Sequence, residues 1–106
     1  MQAEPMKSMT KQDAMQLLKE MEEFLVRVPS AGRNKEAEAF FPERCRLLKM
    51  AVPHNVDCAN VVNWAGIYYS ADKWERYGDA KVREFLEKAL GRVRAKTENY
   101  YKWIAD

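Results

Sequence analysis

Between Val56 and Tyr69 the chain reads as a helix with apolar residues on nearly every face, interrupted only by Asp57, Asn60 and Asn63. A helix that is apolar all round has to be covered by other elements. The flanking segments instead carry single apolar stripes at spacings of three and four, the pattern of amphipathic helices that lay one face on a core. Strand-like alternation occurs nowhere in the sequence. The expected fold is therefore all-α: a compact, four-helix bundle-like single domain with a central, apolar third helix.

A chain of 106 residues builds one core and leaves no material for a second. Residues 1–9 lack periodicity and read as a flexible N-terminal tail, so the helical domain is expected over 10–106. Thr10, three residues before Asp13, is the expected cap of the first helix. Ala14, Leu18, Met21 and Leu25, flanked by Leu17 and Phe24, give that helix its inner face. It should end at Val28, because a residue before proline avoids helical geometry. Asn34 is the expected cap of the second helix, whose apolar face runs from Ala37 through Phe41, Cys45 and Leu48 to Val52. Pro42 sits inside this pattern without an N–H to offer the carbonyl four residues earlier, which predicts a kink or a break there. Asn55 is the expected cap of the third helix, which continues as an amphipathic segment towards Tyr77. Gly78 followed by Asp79 punctuates a hairpin into the last helix. The inner face of that helix reads Val82, Phe85, Leu86, Ala89, Val93, Tyr100 and Ile104.

Catalytic motifs are thin. Cys45, His54 and Cys58, with Asp57, are the one cluster of soft ligands, but their gaps of nine and four residues are not the closely spaced pairs that zinc sites use. The two cysteines read as small buried residues, not as a disulfide. His54 and Cys58 resemble a base and a nucleophile, yet no third group orients the histidine. Glu20, Glu22, Glu23, Glu84 and Glu87 fall on solvated helix faces, and four isolated glycines make no phosphate loop. Arg46 and His54 superficially resemble the Arg–His pair of helical HEPN-type ribonucleases. Seven residues lie between them and Pro53 interrupts the helix, so the resemblance assigns neither residue a role. A hydrolase or ribonuclease is accordingly the last-placed reading, and no cofactor or metal is expected.

With 18 basic against 16 acidic side chains, a net charge of +2, the chain falls short of a dedicated nucleic-acid binder. No run approaches the roughly 20 apolar residues that span a bilayer, and Met1–Thr10 has no secretory apolar core, so a cytoplasmic location is expected. By elimination the expected function is a small cytoplasmic protein-binding module, an inhibitor, adaptor or regulatory subunit without catalytic activity. Three Trp and five Tyr are generous for one small core, and these residue types recur as interface anchors. Trp74, Tyr77, Tyr101 and Trp103 are the candidate anchors for a protein partner of unknown identity. The alternative is a nucleic-acid-binding accessory protein. It would neutralise phosphates with Arg44, Arg46 and Lys49 from the second helix and Lys88, Arg92, Lys96 and Lys102 from the last, with neighbouring aromatics stacking on bases. Interleaved carboxylates weigh against it. A homodimer through the near-heptad stripe of the first helix is a further arrangement.

Overall fold

The computed structural model describes residues 9–28, 34–53, 55–70 and 78–103, and among these it is all-α. Four helices follow in order: α1 (Lys11–Arg27), α2 (Lys35–Ala51), α3 (Asp57–Tyr68) and α4 (Asp79–Trp103). Their main contacts run α1 to α2, α2 to α3, α3 to α4 and α4 back to α1, so the bundle closes into a ring. The expected residues 1–8 of the tail lie outside the described residues, as do His54, the segment 71–77 with Trp74 and Tyr77, and Ile104.

Local chemistry accounts for half of the helix ends. The Thr10 hydroxyl accepts the Asp13 N–H at 3.1 Å, and the Asn34 side chain accepts the Ala37 N–H at 3.0 Å. Each takes up one of the backbone donors that a helix start leaves without an internal partner. Val28 is the C-cap of α1, and its N–H still reaches Phe24 O at 2.8 Å. Pro42 neither breaks nor divides α2, which runs as one helix from Lys35 to Ala51. Gly78 has φ +83°, a left-handed conformation that costs glycine little and precedes the first turn of α4.

The core takes Leu18, Met21 and Phe24 from α1, Phe41 and Leu48 from α2, Val61 from α3, and Val82, Leu86 and Val93 from α4. Phe24 stands at its centre, with ring centroids 4.4 Å from Phe40, 5.6 Å from Phe41 and 5.7 Å from Tyr69. Tyr69 ties the two loops at this end together: its hydroxyl donates to Val28 O at 2.7 Å, and its carbonyl accepts the Asn34 N–H at 3.0 Å. Burial pushes the Tyr69 hydroxyl above its ordinary pKa, with Tyr68 adding to the effect, so it remains a donor.

Four expectations change in the folded chain. Helix α3 lies between α2 and α4 but is not covered on every face, because Ala59, Asn60, Asn63 and Gly66 are exposed. Small residues and amides tolerate water, so along α3 itself this side needs little cover. The helix also stops at Tyr68 instead of running towards Tyr77. Asn55 does not cap it; the Cys58 N–H bonds to the Asn55 backbone carbonyl, while the Asn55 side chain turns inward, 1% exposed. On α4 the inner face takes in Leu90, Thr97 and Tyr101, and leaves Phe85 and Tyr100 only half-buried.

Candidate functional site

The ends of the helices define one distinctive region. The Tyr101 hydroxyl donates to Met9 O at 2.8 Å, and Asn55 Nδ2 donates to Thr97 Oγ1 at 3.4 Å. These contacts bring the start of α1, the end of α2, the start of α3 and the end of α4 to the same end of the bundle. Lengths are mismatched there. With about 1.5 Å of rise per residue, the 12 residues of α3 span about 18 Å and the 25 of α4 about 37 Å. Thr97 is level with Asn55, so Trp103 stands about 9 Å beyond the start of α3.

This overhang carries the most exposed large apolar residue among those described: Trp103 is 79% exposed. Met50, in the last turn of α2, is 62% exposed, and Val56, at the start of α3, is 63% exposed. The fourth such residue, Val26, is near the far end of α1. At about 3.6 residues per turn, Trp103 falls on the same side of α4 as Arg92 and Lys96, the side that faces α3 lower down.

Asp57 organises the charges beneath this shelf. Its carboxylate, nearly buried in the first turn of α3, accepts from Arg92 Nε at 3.0 Å, Lys96 Nζ at 3.0 Å and Asn60 Nδ2 at 3.2 Å. Burial opposes the charge, but the hydrogen bonds from Lys96, Arg92 and Asn60 outweigh it and hold the carboxyl below its ordinary pKa. The positive end of the α3 dipole favours the same charge state. Thr97, buried beside it, donates its hydroxyl hydrogen to Val93 O at 2.7 Å, and Asn55 Oδ1 has no hydrogen-bond partner among the described residues.

The candidate residues from the sequence are distributed unevenly. Trp103 is at the surface. Tyr101, expected as an anchor, is instead taken up by the fold, 8% exposed and hydrogen-bonded to Met9; Trp74 and Tyr77 lie outside the described residues. Of the seven candidate phosphate contacts, five hold a carboxylate. Arg44 reaches Glu20 at 3.1 Å while covering the Phe40 ring at 3.9 Å, and Arg46 reaches Glu43 at 2.8 Å. Lys88 reaches Glu84 at 3.4 Å, and Arg92 and Lys96 share Asp57. Arg44 faces α1 and the others do not, so the seven do not form one continuous face. Met50 lies off the apolar stripe of α2, and that displacement was the available signal; Val56 was read as the first residue of a covered apolar helix and is instead exposed.

Cys45 and Cys58 are both buried and unbridged. Cys45 Sγ lies 3.9 Å from Met21 Sδ, and its neighbour Cys58 together with burial raises its pKa far above the ordinary thiol range. Such a thiol stays protonated and packs as a small apolar group. Among the described residues no helix is long and apolar enough to cross a membrane. Comparison with protein-family models, with curated proteins and with solved structures finds no match to this chain.

Proposed function

We propose that this chain is a small cytoplasmic protein-binding module, an inhibitor, adaptor or regulatory subunit without catalytic activity of its own. The observation that carries this reading is the grouping of Trp103, Met50 and Val56 at one end of the bundle, each more than half exposed. Isolated exposed apolar side chains are ordinary, but a concentration that includes a nearly bare tryptophan has the composition of an interface centre. The pairing of five candidate cations with carboxylates supports a protein partner over a nucleic acid, since those carboxylates would repel a phosphate backbone.

The test is affinity capture from nuclease-treated native lysate with the wild-type chain and with Trp103→Ala and Met50→Glu variants of unchanged melting temperature. The expected result is a protein retained by the wild type at high salt and lost from both variants. Recovery of the same proteins by all three chains, or of nucleic acid alone when nuclease is omitted, overturns the proposal.

A further inference from the structure

The two cysteines are nucleophilic groups that the partner surface leaves unused. Cys45 projects from α2 and Cys58 from the first turn of α3, and both are fully buried without a bond between them. Helices α2 and α3 are packed neighbours, and the two thiols are in hydrogen-bonding contact across their seam. Met21 of α1 also touches Cys45, with its Sδ 3.9 Å from Cys45 Sγ. The contact between the thiols divides their roles. Cys45 has a single S–H to give; Met21 Sδ is a weak acceptor and a Cys58 thiolate a strong one. That donation, aided by the charge of Lys49, holds Cys58 below the ordinary thiol pKa, against burial and the adjacent Asp57 carboxylate. The positive end of the α3 dipole favours the same thiolate. Cys45 keeps the proton and is held far above the ordinary range. One sulfur able to attack beside one that stays protonated is the arrangement of a redox-active dithiol.

We propose that Cys45 and Cys58 form a peroxide-oxidised dithiol that closes a reversible disulfide between α2 and α3. The Cys58 thiolate attacks the peroxide O–O bond and forms an S–O bond. The sulfur loses two electrons, and the departing hydroxide takes the proton that Cys58 released and leaves as water. The Cys45 thiol then attacks the Cys58 sulfenic acid, the S–S bond forms as the S–O bond breaks, and the Cys45 proton leaves with the hydroxyl as a second water. In sum, two thiols and one hydrogen peroxide give one disulfide and two waters. The oxidant has to be small, because both sulfurs are out of reach of a bulky disulfide such as oxidised glutathione. Helix α3 begins without a side-chain cap, so its first turn opens at less cost than the core and admits a molecule close to water in size. In a reducing compartment such a bond is transient and is reversed by thiols.

For the test, the reduced full chain, folded or in urea, is exposed to hydrogen peroxide or to oxidised glutathione, then denatured, alkylated and weighed by mass spectrometry. The folded wild type is expected to lose both alkylatable thiols and about 2 Da, with Cys45 and Cys58 joined in one peptide pair, at a rate within about tenfold of that in urea. Dithiothreitol should restore both thiols, and oxidised glutathione should leave the folded chain without an adduct. Closing a loop of about 14 residues should raise the melting temperature by about 10 °C. In Cys45→Ala, Cys58 should accumulate as a sulfenic acid trapped by dimedone, whereas Cys45 in Cys58→Ala should react at least about tenfold more slowly. The wild-type result does not depend on either variant folding. Oxidation through global unfolding alone has only about one chain in a thousand or fewer open at a time, so a folded-state rate about a hundredfold or more below that in urea overturns the proposal. Disulfide-linked dimers as the main product, a glutathione adduct on the folded chain, or equal reactivity of the two variants overturn it as well.

Discussion

Replacing Asp57 by alanine tests whether a near-buried carboxylate joins α3 to α4. In the wild type it accepts three hydrogen bonds, two of them from cations. A charge-assisted bond is worth about 1.5–3 kcal/mol when both partners are dry. Here Arg92 and Lys96 are 53% and 46% exposed, which brings each pair down towards the value of a surface pair, below about 1 kcal/mol. Adding Asn60 and the favourable end of the helix dipole gives a loss of about 2 kcal/mol in total. For a domain of this size that lowers the melting temperature by about 10 °C. The effect carries a pH signature. The folded-state carboxyl is held below its ordinary pKa, so its stabilisation is complete above about pH 5 and drains as pH falls below about 4, where the unfolded chain takes up the proton first. The alanine variant has no such contribution to lose, and the gap between the two melting temperatures should narrow as pH falls from 6 to 3. Circular dichroism melts across that range are the assay. A gap below about 2 °C at pH 6, or one that stays constant on acidification, refutes the argument.

Other consequences are open to simpler measurement. Tyr69→Phe keeps the ring among Phe24 and Phe41 but deletes the hydrogen bond to Val28 O, and should lower stability by about 1 kcal/mol in urea titration without a change in slope; an unchanged midpoint would show that the hydroxyl holds nothing. Gly91→Ala should stabilise by about 0.5–1 kcal/mol, because a Cβ at this exposed position inside α4 meets nothing within 4 Å. Gly78→Ala should instead destabilise by about 1 kcal/mol, since φ +83° strains any residue with a Cβ, and thermal melts of the two variants should move in opposite directions.

What could be read from the sequence was local. Thr10 and Asn34 cap helices because each side chain reaches an N–H three residues ahead, and the inner face of α1 follows from its own spacing. The polar contacts between helices were a different matter. Asp57 finds Arg92 35 residues away and Asn55 finds Thr97 42 away, pairings set by how α3 and α4 slide against each other. Local periodicity carries no information about that register, which is why Asn55 resembled a cap and Thr97 drew no expectation. The candidate site shows the same division: Trp103 was legible by type, whereas Met50 and Val56 acquired meaning only once three helix ends met.

The closed ring of helices also bears on synthesis. Glu22 of α1 waits for Arg94, 72 positions later, and Met9 waits for Tyr101, 92 positions later. Translation at about 5–20 residues per second makes that a delay of about 4–15 s for the first pair. Throughout it, one flank of α1 has no final neighbour, while α2 and α3 are close enough in sequence to meet early. Completion of the bundle therefore belongs to the last helix made, and the vulnerable interval of a nascent chain lasts until α4 has emerged.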